Sequence, residues 1–451
     1  MDSVCAARYG IRCKGLNQDP RERDGVQKER QRLAPGDTSL VYRTCSFVKE
    51  LRLFMEVLIA QKQLLHALAR THGATDRKSS VPMLSSVLLR TQDDHLELLA
   101  TDLFLSATAT CSAEVKTNGA LAVASKALLD LVKNMPDGPL TLKRETESQL
   151  LIQSGKVRFR VPFALPEAFP ELPQRPESSP LVFQPADLLQ LIARTQFSML
   201  HDESRPHLSG GLFQGQGKTL RMVSTDGHRL SKAEVDVEGG GFDFSMFIPL
   251  RAIGEIKRIA EDLKVSSSAT KDPASAAKSE AAPGGGVAKP SHEKADLLEL
   301  AKEGNHLFVS RSGFSLAVKL SEDAFPPYDR VIPKQASKTV FCDRQSLQDA
   351  LRRINLVAND KTGGIRLELE AGKLALVSEN PEVGEGREEL DADYAGEPLT
   401  IGFNARYLLD AVGVLLTDRV ELALSGELDP GMVSGENDKM GFVGVVMPMR
   451  I

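Results

Sequence analysis

The chain has 451 residues, 41% of them hydrophobic and 26% charged, with a net charge of −5, no tryptophan and only 5% aromatic residues. That length suggests roughly three domains, with cores that must be mainly aliphatic. The acid excess argues against a protein that grips nucleic acid over its whole surface, while leaving room for one basic face. Cys5, Cys13, Cys45, Cys111 and Cys342 form no CxxC pair, which excludes a disulfide framework and fits a reducing compartment. No apolar run approaches the ~20 residues of a membrane span, and the first residues lack the apolar heart of an export signal.

Residues 1–54 are rich in Arg, Asp, Gln and Gly and show little periodicity. They are expected to be a disordered arm or to lie upstream of the true start. The folded part is expected to begin at Met55, with Met55-Glu56-Val57-Leu58-Ile59 as its first strand. Six helices follow, centred on Leu64-Leu65, Leu128-Leu129, Leu188-Leu189, Ile253-Gly254, Leu347-Gln348 and Leu408-Leu409. They recur in steps of roughly 60–65 residues apart from one long step, and such a period identifies a repeat architecture. In the first, Leu64, Leu65 and Leu68 share a face, and this i, i+1, i+4 spacing gives an apolar stripe opposite a wet side. A strand precedes each later helix: Leu121–Ala124, Leu181–Gln184, Met246–Pro249, Thr339–Cys342 and Leu399–Phe403. Alternating strands such as Leu140–Lys143, Leu220–Ser224 and Leu374–Ser378 come after them.

One strand–helix–strands unit of ~60 residues buries too little surface to stand alone, so two are expected to share each core. Proline-rich links at 173–180 and 326–333 then divide the folded part into three α+β domains: 55–174, 180–332 and 333–451. The long step contains residues 266–295, rich in Ser, Ala, Lys, Pro and Gly, which read as a flexible insertion in the middle domain. The wet helix faces carry cations, among them Lys62, Arg70, Lys126, Lys133, Arg194, Arg251, Lys257, Arg258, Arg352, Arg353 and Arg406, interspersed with acids. Such faces are either ordinary solvated surface or a common basic surface that meets phosphates without reading bases.

Catalytic motifs are weak. Gly215-Gln216-Gly217-Lys218-Thr219 imitates the end of a phosphate-binding loop, but Leu212 stands where its first glycine belongs and a strand, not a helix, follows. It reads as a hairpin turn. Asp226 and His228 stand close together without ligand spacing or a nucleophile motif nearby, so Asp226-Gly227 reads as a tight turn. The chain stays apolar through Val446-Met447-Pro448-Met449-Arg450-Ile451, which predicts an end tied into the fold. No cofactor, metal or catalytic residue is expected.

Several phrases occur in a telling order: Val81-Pro82-Met83-Leu84, Thr101-Asp102-Leu103, Thr195–Met199, Leu208-Ser209-Gly210, Thr225-Asp226-Gly227-His228-Arg229-Leu230, Phe325-Pro326-Pro327-Tyr328, Gly402-Phe403-Asn404 and Val446–Arg450. With them, residues 55–451 resemble the bacterial sliding clamps, the beta subunit of DNA polymerase III. The resemblance implies a non-catalytic α+β protein of three repeated DNA-clamp domains, each built from two strand–helix–strands units. Such a chain forms a half ring, and a head-to-tail homodimer closes the ring around duplex DNA. It implies a processivity role, with the DNA polymerase III alpha subunit, the clamp loader and other clamp-binding-motif proteins as partners, in the cytoplasm at the nucleoid. An accessory clamp-like paralogue, in repair or drug tolerance, is the alternative.

Carried over by position, the resemblance implies a peptide-binding pocket of Leu208, Thr225, Gly227, His228, Arg229, Leu230, Pro326, Arg330, Val331, Asn404, Tyr407, Val446, Met447, Pro448, Met449 and Arg450. It implies DNA contacts by Lys78, Lys126, Arg205 and Arg251. It implies dimer contacts by Phe159 and Val161 against Leu356 and Val357. Asp202 stands where the family has a neutral polar residue, Leu250 where it has a basic one, and Pro206-His207 in place of an aromatic pair.

Overall fold

The computed structural model describes residues 55–177, 180–202, 204–237, 241–269, 297–311, 313–334, 336–358, 362–438 and 441–450. The 1–54 extension and positions 270–295 of the expected insertion lie outside the described residues. Positions 266–269 do not belong to a loop, because the fourth helix runs on to Ala269. Once a helix is nucleated, each further residue adds one hydrogen bond at little cost, so a serine-rich tail can extend it.

The first part of the chain contains β1 (Glu56–Ala60), α1 (Gln61–Thr71), β2 (Ser86–Gln92), β3 (His95–Thr101), β4 (Leu105–Ser112), β5 (Glu114–Thr117), β6 (Ala120–Ala124), α2 (Ser125–Lys133), β7 (Pro139–Arg144), β8 (Gln149–Ser154) and β9 (Val157–Ala164). The middle part contains β10 (Leu181–Phe183), α3 (Pro185–Thr195), β11 (Gly210–Gly217), β12 (Thr219–Thr225), β13 (Arg229–Asp236), β14 (Phe242–Pro249), α4 (Leu250–Ala269), β15 (Leu298–Glu303), β16 (His306–Arg311) and β17 (Phe314–Lys319). The last part contains β18 (Lys338–Asp343), α5 (Arg344–Asn355), β19 (Gly364–Glu370), β20 (Lys373–Asn380), β21 (Gly384–Asp393), β22 (Leu399–Asn404), α6 (Ala405–Gly413), β23 (Arg419–Leu424), β24 (Gly431–Gly435) and β25 (Val443–Val446). The phosphate-loop lookalike is indeed a hairpin joining β11 to β12, with Gly217 at φ +61°.

The helices pack in pairs, α1 with α2, α3 with α4 and α5 with α6. Two positions of each apolar stripe are buried, as at Leu64 and Leu68, Leu128 and Val132, Leu188 and Ile192, Leu347 and Leu351, and Leu408 and Val412, while the position between them is half-buried at Leu65, Leu129, Leu189 and Leu409. The middle core departs from the aliphatic expectation. Phe183, Phe213, Phe242 and Phe244 cluster there, with ring centroids 5.1–6.3 Å apart. Offset and edge-on aromatic contacts of this kind add to the stabilisation from burial itself.

Two antiparallel sheets cross the domain boundaries. One has 13 strands in the order β10-β15-β16-β17-β4-β3-β2-β6-β9-β8-β7-β1-β5, and the other has 12, β14-β11-β12-β13-β25-β24-β23-β18-β21-β20-β19-β22. The middle part therefore contributes one sheet to each neighbour. β17 runs against β4 from Phe314↔Ala109 to Val318↔Leu105. β13 runs against β25 from Arg229↔Val446 to Lys232↔Val443.

Side chains reinforce both junctions. Arg258 donates to the carbonyls of Ala69 (2.5 Å) and Arg70 (2.9 Å) at the end of α1, where cations complement the helix dipole. Arg194 and Asp438, both buried, pair at 3.4 Å between α3 and the last domain.

The helices differ in how they begin. No side chain caps α1, α2 or α3, whereas Asp343 Oδ1 caps α5 by accepting from the N–H (2.7 Å) and hydroxyl (2.6 Å) of Ser346. These bonds to Ser346 hold the Asp343 carboxyl below its ordinary pKa. Its contribution is thus present above the ordinary carboxylate pKa and is lost as pH falls through the lowered folded value. Asp343→Ala is expected to lower unfolding free energy by about 1 kcal/mol at neutral pH. Chemical denaturation should also show the difference from wild type shrinking in strong acid, and a constant difference would contradict this assignment.

Candidate functional site

The expected pocket residues gather where the middle and last domains meet. The turn between β12 and β13 is built by its own side chains. Asp226 Oδ1 accepts from the backbone N–H groups of His228 (2.9 Å) and Arg229 (3.0 Å). Thr225 Oγ1 donates to the carbonyl of Arg229 (2.7 Å) and accepts from the N–H of Gly227 (3.1 Å). Gly227 has φ +91°, which a side chain would strain.

The apolar end of the chain docks beside this turn. Met447 N–H donates to the carbonyl of His228 at 2.9 Å, and Met449 N–H to that of Gly402 at 2.8 Å. Val446 is buried, while Met447, Pro448 and Met449 are half-buried and Arg450 is exposed. Leu230 lies in an apolar cluster with Val223, Tyr328 and Val445, against which Phe325 and Val331 pack. The Tyr328 hydroxyl donates to Gln214 Oε1 (3.0 Å) and accepts from Arg221 Nη1 (3.1 Å), and this holds the segment carrying Pro326, Arg330 and Val331. Asn404 caps α6 by accepting from the N–H groups of Arg406 and Tyr407 at 2.9 and 3.3 Å. Leu208 is buried at the end of a short 3₁₀ turn, Pro206–Leu208.

Arg229 is not a free rim cation. Its guanidinium meets Asp226 Oδ2 at 3.0 Å and Asp410 Oδ2 at 2.5 Å, donates to the carbonyl of Phe197, and lies 4.4 Å from the Tyr407 ring centroid and 5.3 Å from that of Phe197. It joins the middle domain to α6. Burial, followed by the nearby Asp226 carboxylate, pushes the Tyr407 hydroxyl pKa up. Asp226, Asp410 and Phe197 were not among the expected site residues. The Thr-Asp pair ahead of a glycine was the available signal, because Asp at that place in a turn bonds the backbone two and three residues on.

The expected DNA-facing cations differ among themselves. Lys78 and Lys126 are exposed and form no ion pair among the described residues. Arg205 is exposed too, and a Cβ built on Gly227 would lie 3.9 Å from its Nη1, so its guanidinium flanks the pocket turn. Arg251 is engaged within the chain: Nη2 lies 2.7 Å from Asp102 Oδ2 and donates to Thr75 O at 3.3 Å, leaving the side chain 53% exposed. Asp202, the acidic departure, shapes its own loop by accepting from Ser204 N–H (2.9 Å) and hydroxyl (2.7 Å). Of the helix-face cations, Lys62, Arg70, Arg194, Arg258, Arg352 and Arg353 are paired with carboxylates.

Of the expected dimer residues, Phe159 and Val161 lie on β9, and Leu356 and the half-buried Val357 follow α5, with Val357 beside Gly386 of β21; both strands are incomplete sheet edges. β9 pairs with β8 along 157–162 but with β6 only at Phe163 and Ala164. β21 pairs with β20 along 384–391 but with β18 only at Ala392 and Asp393. Phe159 on β9 is 43% exposed, and Leu356, just after α5, is 76% exposed. Val161 differs from expectation. It is only 9% exposed and belongs to the core of its own domain; it shares a strand face with Phe159 two residues earlier, so that face is open at Phe159 and covered at Val161.

No group of three or more His, Cys, Asp or Glu side chains among the described residues could hold a metal. No helix among them is long and apolar enough to cross a membrane.

Three family profiles match the chain in order: the N-terminal, central and C-terminal domains of the DNA polymerase III beta subunit, over residues 55–173, 183–271 and 329–450. A beta sliding clamp from Pseudomonas putida is 32% identical over 400 residues, covering 88% of this chain and 100% of the relative. One from Caulobacter vibrioides is 29% identical over 405 residues, with the same coverage. Among solved structures, the DNA polymerase III beta subunit of Pseudomonas aeruginosa superposes with a TM-score of 0.76 at 30% identity, covering 88% of this chain and 100% of that one. A Pseudomonas aeruginosa clamp bound to griselimycin gives a TM-score of 0.75 at the same identity and coverage. The accessory-paralogue alternative is not favoured by these matches.

Proposed function

This chain belongs to the bacterial beta sliding clamp family, the beta subunit of DNA polymerase III, and on that premise we propose that it works as a closed ring of two copies around duplex DNA. The observation that carries the proposal is the pair of incomplete edges, β9 and β21, on the first and last domains of one chain, each paired along its length on one side and over only two residues on the other. Inside the chain, each domain boundary is joined by a strand ladder of the kind these edges lack. A contact between different surfaces makes a ring when its rotation closes. The edges differ in net charge: β9 and its approach carry Lys156, Arg158 and Arg160, while β21 carries Glu385, Glu388, Glu389, Asp391 and Asp393 against one cation, Arg387; Arg160, Glu388 and Glu389 also pair within the chain. Phe159 and Leu356 supply the apolar centre.

A ring holds DNA by topology and needs no tight grip, which reconciles a net charge of −5 with a DNA partner. Lys78, Lys126, Arg205 and the half-exposed Arg251 supply weak, sequence-independent phosphate contacts. The surface formed jointly by the turn at Gly227 and the segment Val446–Arg450 takes an extended apolar peptide from the polymerase alpha subunit, the clamp loader or another partner. The protein thereby tethers a polymerase without catalysing a step itself, and it acts in the cytoplasm at the nucleoid.

Loaded onto a nicked plasmid, the protein is expected to stay bound through gel filtration and to be released when the circle is linearised. Retention on the circle should barely change between about 50 and 200 mM salt, a range over which phosphate-driven binding collapses. Equal retention on circle and line would refute enclosure.

A further inference from the structure

The pocket turn has a double. Between the first and middle domains, Thr101-Asp102-Leu103-Phe104-Leu105 repeats the bonding of Thr225-Asp226-Gly227-His228-Arg229. Asp102 Oδ1 accepts from the N–H groups of Phe104 (2.8 Å) and Leu105 (2.6 Å). Thr101 Oγ1 donates to the carbonyl of Leu105 (2.9 Å) and accepts from the N–H of Leu103 (3.0 Å). The following strand β4 pairs with β17 as β13 pairs with β25, and the N–H of Lys319 donates to Phe104 O (2.8 Å) as that of Met447 does to His228 O. The surroundings repeat as well. Leu84 is the third residue of a 3₁₀ turn opened by Pro82, as Leu208 is of the one opened by Pro206. Leu88 and Leu99 pack with Phe169 and Leu172, as Leu212 and Val223 pack with Phe325 and Tyr328.

The two turns differ at their tips. Leu103 holds φ +76° where the other turn has glycine, a left-handed conformation that strains a residue with a side chain. Such strain persists where surrounding bonds over-determine it, here those of Thr101 and Asp102, and it clusters at ligand clamps. Leu103 is 59% exposed and Phe104 65%, so neither buries the surface that would offset the strain. Cations frame them. Lys319 takes the place of Met447, with Nζ 6.0 Å from the Phe104 ring centroid, and the half-exposed Arg251 lies against Asp102.

We propose that this junction is a second docking site, for an extended peptide carrying carboxylates beside aliphatic or aromatic side chains. The proposal rests on the peptide-docking reading of the sister turn for the kind of ligand. The chemistry of Leu103, Phe104 and Lys319 sets the preference: an apolar tip receives the apolar side chain, and Lys319 receives the acid.

The test is calorimetric titration of the intact protein with the synthetic peptide Asp-Leu-Phe-Glu-Leu and with a copy bearing lysines in place of its acids. Two acidic peptides are expected per chain. Lys319→Glu and Leu103→Gly should each leave one, the other weakening at least tenfold. Leu103→Gly installs the sister turn's residue and relaxes the backbone, so its melting temperature should hold or rise. The lysine peptide should lose only the second site. Met447→Ser should remove the other site instead. A single site indifferent to Lys319→Glu and Leu103→Gly, or no binding at all, overturns the proposal. A single site abolished by Lys319→Glu and untouched by Met447→Ser would uphold it and refute the pocket reading.

Discussion

Replacing Arg229 with methionine is expected to weaken peptide docking by on the order of 100-fold and to lower unfolding free energy by about 3 kcal/mol. Methionine fills similar volume but leaves Asp226, itself nearly buried, without the cation it faces at 3.0 Å. It also removes the link to Asp410 and the stacking on Tyr407 at 4.4 Å. The turn at Gly227 and the start of α6 come from different domains, and Arg229 is the side chain that ties them. Arg229→Lys should recover only part of the loss, since an ammonium supplies charge without the planar fork that serves two carboxylates at once. Peptide titration and thermal melting check both figures. Wild-type affinity in Arg229→Met would remove this residue from the site.

The second large effect concerns ring closure. Leu356→Lys is expected to raise the dimer dissociation constant by roughly a thousandfold, read by sedimentation velocity across a dilution series. Burying a leucine contributes about 1.5–3 kcal/mol, and a closed pair of chains makes the same contact twice, so the loss doubles before it enters the equilibrium constant. Leu356 stands 76% exposed, so the substitution should leave the melting temperature of the separated chain unchanged. Peptide affinity should also hold, because the pocket is built within one chain. An unaltered dimer would shift the contact away from this helix end.

The helices and most strands were legible because their information is local. Leu64 with Leu68 and Leu128 with Val132 mark a buried face at helical spacing, and the two proline-rich links are compositional. The pocket turn was legible in the same sense, since Asp226 bonds only its near neighbours. Partner choice over long distances was not. A positive residue on a helix face announces its charge but not its counter-ion. Nothing around Arg251 in the sequence points to Asp102, and nothing around Arg229 points to Asp410. Nor did the sequence show how burial changes along one face of an edge strand: Phe159 is 43% exposed, whereas Val161, two residues on and on the same face, is 9% exposed. The double of the pocket turn was in view as Thr101-Asp102-Leu103, but its equivalence rests on backbone bonds that a leucine in place of glycine conceals.

The middle third of the molecule lends one sheet to each neighbour, through β17 against β4 and β13 against β25. Excising it, or cutting the chain at either link, would strip ladders and bare unpaired amide and carbonyl rows on every fragment. Raw borders of that sort template further strands. Truncated pieces should accordingly stick to one another rather than behave as independent modules.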